Sequence, residues 1–194
     1  MTTIGVATGI GAPVRRREDH RLLCGLGEFS DDLNFTGQLR AVMIRAPHAN
    51  ADIQTIDTAA AVAMPKITAV LTGADYADDG IGDLCHGANP AAAVDWQSAA
   101  FVNRDGSAPF DRAQPSIVRD RVRHAGEIVA VVVGETEAAA KAAAEMVTVD
   151  YIELPAVTDA MAALDADAPT VWDDCPNNLP LDAEIGDPAA TDAA

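Results

Sequence analysis

The chain has 194 residues, enough for one domain or one domain with tails. Its hydrophobic fraction of 49% allows a real core, and because aromatics make up only 4%, that core is expected to be Ala, Val, Ile and Leu. Thirteen basic against thirty acidic residues leave a net charge of −17, which argues against nucleic acid or an anionic membrane surface as a partner.

Residues 1–21 read as an extended, Gly-rich arm carrying Arg15, Arg16 and Arg17. Gly25 and Gly27 flank a tight bend where positive φ is expected. They are not a dinucleotide fingerprint, since the preceding strand, the third Gly and the following helix are all missing. Leu39–Ala46 is a strand ended by Pro47, and Ala51–Ile56 alternates like a half-buried strand. Asp57 or Thr58 caps a short Ala-rich helix that stops at Pro65. Ile67–Leu71 is a short buried strand, after which Thr72-Gly73 opens a helical turn around Ala74–Ala77.

Residues 78–116 form the least regular stretch, holding Cys85, His86 and Trp96. Ile128–Val133 is the strongest strand, apolar on both faces and so central. Thr136 caps a helix over Glu137–Met146, with Glu137 paired to Lys141 at i+4. Val147–Tyr151 is a further strand, and the strand–helix–strand order suggests a right-handed crossover. From Thr158 the chain is acidic, without Lys or Arg, and reads as an extended linker with one short helix near Ala160–Leu164. The organisation expected is an arm (1–21), a mixed α/β domain (22–157) and an acidic linker (158–194). The acid excess serves solubility, or the tail and the basic arm meet complementary partner surfaces.

The three cysteines, Cys24, Cys85 and Cys175, are odd in number and far apart, with no Cys-x-x-Cys pair, so neither a disulfide framework nor a structural zinc is indicated. No apolar run approaches a membrane span, and the N-terminus lacks the apolar stretch of a secretory signal; a reducing cytoplasm is the default. Cys85-His86 has three readings: a hydrolase centre, the lining of a substrate passage, or a plain loop. The first suffers because a nucleophile needs a base oriented by a third group. His48 either faces an interface or satisfies its own turn. Glu127 either orients a loop at a substrate funnel or accepts backbone N–H groups. Arg15–Arg17 either embrace a neighbouring acidic subunit surface or form a solvated arm.

Several segments together carry a family resemblance. Arg21-Leu22-Leu23-x-Gly25-x-Gly27-x-Phe29-x-Asp31-Asp32 is followed by a strand and then Ala46-Pro47-His48-Ala49. PKITAVLTGADYADDG and VRHAGEIVAVVVGETEAAAKAAAEMVTVDYIELPAV follow in order. These resemble the start of the molybdopterin-binding large subunit of the molybdenum hydroxylases, the xanthine dehydrogenase, aldehyde oxidase and carbon monoxide dehydrogenase family. Lys66 and Ala125 stand where Gly is usual, and Ile128 where Pro is common. The resemblance spans about residues 10–194. It implies an α/β-hammerhead fold and a part of an oxidoreductase acting on aldehydes, N-heterocycles or carbon monoxide. The holoenzymes carry molybdenum–molybdopterin, with iron–sulfur clusters and FAD on partner subunits or domains. The family's cofactor contacts and catalytic Glu lie in later domains, so no catalytic, cofactor-binding or metal residue carries over. The possible interface or substrate-funnel residues are Arg17, Arg21, His48, Cys85, His86 and Glu127. The expected role is structure and assembly with the molybdopterin-binding remainder; the alternative is a stand-alone interaction module without enzyme activity. The sequence does not name the substrate.

Overall fold

Ile128–Gly134, the most apolar run, is hydrogen-bonded along both edges, and Val129, Ala130, Val132 and Gly134 in it are buried. The computed structural model describes residue 10 and residues 16–84, 102–184 and 188–193. Its elements are α1 (Asp19–Leu23), β1 (Arg40–Arg45), β2 (Ala51–Asp57), α2 (Ala59–Val62), β3 (Ile67–Thr72), α3 (Gly73–Asp78), β4 (Arg121–Val122), β5 (Ile128–Gly134), α4 (Glu137–Ala144), β6 (Thr148–Glu153) and α5 (Pro188–Asp192). The chain divides into two compact units, Met1–Gln38 and Leu39–Ala194.

In the first unit, the expected extended arm gives way to a helix, α1, before residue 21. Gly25 has φ +70°, as the bend requires. A Cβ on Gly27 would lie 2.9 Å from Leu22 Cδ2. A 3₁₀ turn follows at Ser30–Asp32, where Asp32 Oδ2 accepts from the Phe29 N–H at 2.9 Å.

The second unit holds two three-stranded sheets, ordered β1-β5-β3 and β4-β2-β6, with every pair antiparallel. This corrects the crossover expectation. Both edges of β5 are already taken by β1 and β3, so β6 has no place beside it and pairs with β2 in the other sheet. Successive side chains of a strand alternate between faces. Accordingly Val132 joins Ala61, Ala140 and Ala143 under α2 and α4, whereas Val129 joins Ala46, Val118 and Val122. Ile53, Val149 and Tyr151 of the second sheet pack on the latter cluster. Alanines on α4 let the helix sit close to β5, which explains the Ala-rich composition. Leu, expected in the core, is absent from the buried set among the described residues; its members are Ala, Val, Ile117 and Cys175.

Local signals account for the helices. Thr136 Oγ1 accepts from the Ala139 N–H at 3.2 Å, and Glu137 pairs with Lys141 at 2.6 Å. Asp57, not Thr58, supplies the oxygen at the start of α2, accepting from the Ala59 N–H at 2.9 Å. At α3 the N–H and hydroxyl of Thr72 both donate to Asp75 Oδ2 at 2.7 Å, which holds that carboxyl below its ordinary range.

Lys66 sits in a backbone conformation suited to Gly. Its φ is +67°, a left-handed conformation natural to Gly and costly for a side chain bearing Cβ. Lys66→Gly is therefore expected to stabilise the protein by about 0.5–1 kcal/mol, after subtracting the extra freedom Gly gives the unfolded chain. A thermal melt checks it: the midpoint should rise, and a fall would show that the Lys side chain supplies compensating contacts.

Candidate functional site

Between residues 102 and 123 the chain lays down five arginines, and four of them grip acids. Arg104 holds Asp182 through Nε and Nη2, both at 2.9 Å, and Arg112 holds Asp174 at 2.5 Å. Arg121 bridges Asp52 at 2.7 Å and Asp173 at 3.0 Å, and the bonds to these two carboxylates raise its pKa above the usual value. Arg119 holds Asp83 at 3.0 Å. Exposed pairs such as these are individually weak. Three of the four nonetheless converge on one acidic stretch, 173–182, and backbone bonds reinforce them: Phe110 N–H to Pro180 O and Arg104 N–H to Asp182 O, both 2.8 Å. Part of the acid excess after Thr158 is thus answered in cis. Asn178 closes the stretch on itself, donating to Ala163 O and Pro169 O at 3.0 Å and accepting from the Val171 N–H at 2.8 Å.

Under this acidic strap lies a cavity of about 600 Å³. Phe110, Val171, Trp172 and Leu181 form apolar wall; Arg123, His124 and Glu127 bring charge and hydrogen-bonding groups. The Trp172 ring has the Arg123 guanidinium carbon 3.8 Å from its centroid, that of Arg112 at 5.3 Å, and the Phe110 ring at 6.3 Å. Glu127 is only 7% exposed. Its Oε2 accepts from the Arg123 and His124 backbone N–H groups at 2.5 and 3.4 Å, and its Oε1 is 3.5 Å from His124 Nδ1. Arg123 Nε is buried without a hydrogen-bond partner, and burial pushes the guanidinium's pKa down. Cys175 also lines the cavity; burial and the neighbouring Asp174 push its thiol pKa up, away from a reactive thiolate.

Of the interface or funnel candidates read from the sequence, Glu127 alone among the described ones lines this cavity, and it does accept backbone N–H groups. His48 packs edge-on against Tyr151, ring centroids 4.9 Å apart. The two turns carrying His48 and Glu127 are nonetheless joined, by Ala46 N–H to Glu127 O at 2.8 Å and Gly126 N–H to Ala46 O at 2.9 Å. Arg17 and Arg21 are exposed in the first unit. Cys85 and His86 lie outside the described residues. Sequence reasoning missed Arg123, Arg112 and Trp172. The available signal was a large aromatic, Trp172, inside a stretch otherwise taken for an acidic linker. Among the described residues no cluster of three His, Cys, Asp or Glu is placed to hold a metal ion, and no helix is long and apolar enough to cross a membrane.

Residues 24–93 and 89–155 match the profile of the aldehyde oxidase and xanthine dehydrogenase a/b hammerhead domain. The chain belongs to that family. The hammerhead is 37% identical over 150 residues to the nicotine 6-hydroxylase large subunit of Paenarthrobacter nicotinovorans, covering 77% of this chain and 16% of that one. It is 30% identical over 197 residues to the carbon monoxide dehydrogenase large chain of Afipia carboxidovorans, covering 95% and 22%. The crystal structure of quinoline 2-oxidoreductase from Pseudomonas putida 86 superposes with a TM-score of 0.63 at 39% identity, covering 80% of this chain and 18% of that one. The hammerhead chain thus spans roughly a fifth of the length of these relatives. The two small antiparallel sheets and their few helices agree with the α/β-hammerhead expected from sequence.

Proposed function

We propose that this chain is the structural and assembly part of a molybdenum hydroxylase large subunit, an oxidoreductase component that breaks no bond by itself. The observation that carries the reading is the surface of the first unit. Residues 22–35 of that unit leave Leu23 86%, Phe29 80% and Phe35 72% exposed, with Leu22 and Leu26 exposed beside them. Apolar side chains clustered in water mark an interaction surface. Their partner in this reading is the molybdopterin-binding remainder of the large subunit, with iron–sulfur and FAD subunits beyond it, in the cytoplasm. Arg17 and Arg21 are exposed in the same unit, and His48 and Glu127 sit at the joined turns that would face the substrate funnel.

In this reading the molybdenum group belongs to the molybdopterin-binding remainder, where it would supply the redox chemistry. Net charge again argues against nucleic acid.

Co-expression with the molybdopterin-binding remainder of a family large subunit tests the proposal. Stoichiometric co-purification is expected, with recovery falling at least tenfold on Phe29→Asp or Leu23→Asp while the thermal melt of the chain itself stays unchanged. Stoichiometric molybdenum on the isolated chain, dye reduction with aldehydes or purines by that chain, or failure of the wild-type pair to associate would overturn it.

A further inference from the structure

The five arginines between 104 and 123 are not alike. Arg104, Arg112, Arg119 and Arg121 each hold a carboxylate within 3.0 Å. Arg123 holds none among the described residues. Asp120, Glu127 and Asp173 act on it only through space: none forms an ion pair with it, Glu127 accepts from backbone N–H groups through Oε2, and Asp173 is bound by Arg121. The Arg123 guanidinium keeps one bond, Nη1 to Arg121 O at 3.3 Å, while its buried Nε has no partner. A cation partly withdrawn from water without a carboxylate in direct contact is unfavourable, and the longer-range pull of these three acids offsets that cost only in part.

The walls define the rest of the occupant. A cavity of about 600 Å³ falls inside the range of small-molecule sites, roughly 300–1,000 Å³. Trp172, whose ring already carries the Arg123 guanidinium, and Phe110 line the cavity with aromatic surface, and Val171 and Leu181 with aliphatic surface. A planar guanidinium favours a planar, two-oxygen anion. Glu127 at the same end disfavours a dianion such as phosphate by like-charge repulsion.

We propose that this cavity binds a small aromatic carboxylate, its ring against Trp172 and Phe110 and its carboxylate on Arg123. The occupant supplies the directly paired carboxylate that Arg123 lacks, and its ring fills the apolar walls. This site does not depend on the assembly role proposed above.

Calorimetric titration of the 194-residue chain with benzoate, and with benzamide as its neutral isostere, tests the site. Saturable benzoate binding at least tenfold tighter than that of benzamide is expected. Arg123→Gln should erase that preference, and Arg123→Lys, which keeps the charge and loses the fork, should fall between. A Trp172→Leu variant should weaken both probes together, by at least threefold, and gives a second reading should Arg123→Gln not fold. Equal affinity for the two probes, benzoate binding undiminished by Arg123→Gln, or no saturable benzoate binding would overturn the proposal. So would benzoate binding that disappears when the chain is assembled with the remainder of a large subunit, because the cavity would then be a subunit socket.

Discussion

Gly73→Ala is expected to destabilise the protein by about 3 kcal/mol, the upper end of the usual cost of forcing a methyl group into filled space. The reason is backbone proximity. A Cβ on Gly73 would stand 2.3 Å from Val118 O, 2.7 Å from Val118 C and 2.9 Å from Arg119 Cα. None of these atoms is the end of a flexible side chain, so relief requires α3 and the 117–119 segment to separate. That segment is itself fixed, since the Val118 N–H donates to Ile128 O at 2.9 Å at the start of β5 and Val118 is 2% exposed. For a chain of this size the melting midpoint should fall by roughly 6–12 °C. A Gly73→Ala protein melting within 2 °C of wild type would show that the approach of α3 to the Val118 backbone is looser than described.

Glu127→Ala should cost about as much, near 3 kcal/mol, by a different route. The side chain is 7% exposed and accepts from two backbone N–H groups, at Arg123 and His124. Removing it leaves donors in the β4–β5 turn without their acceptor, at about 1–3 kcal/mol for each that stays buried. The same turn is held from outside by Arg45, whose Nη1 donates to Gly126 O at 2.7 Å, and Gly126 adopts φ +95°. Glu127→Gln keeps one oxygen in place and should lose less than half as much. Urea unfolding of the two variants checks both values. Equal losses for Ala and Gln would mean that the charge, not the acceptor oxygen, holds the turn.

Much of the architecture was readable residue by residue. Thr136 with Glu137 and Lys141 marked α4, Thr72-Gly73 marked α3, and the apolar run from Ile128 marked a central strand; the structure places each within a few residues of expectation. These signals are local, written within one turn of helix or one strand. β6 was placed correctly as a strand and wrongly in its pairing, because no residue within it states whether an edge of β5 is free. Leu was expected inside by hydrophobicity alone. Yet Leu22, Leu23 and Leu26 lie exposed, while alanines of α2 and α4 fill the space against β5, because close approach of a helix to a sheet favours the smaller side chain.

The candidate site was legible only in part. Glu127 drew notice through its place before the strongest strand. Arg123 and Trp172 did not, because 48 intervening residues separate them and no short-range pattern links them.

Composition, periodicity and capping residues therefore established by themselves a mixed α/β class and most of its strands and helices, while the motifs that run in order along the chain carried the family resemblance. Which strand lies beside which, how the acidic stretch is drawn back onto its arginines, and the cavity this leaves under Trp172 were decided by long-range contacts. Such contacts depend on which edges and charges remain available once the rest of the chain has packed, a property that no stretch of sequence carries alone.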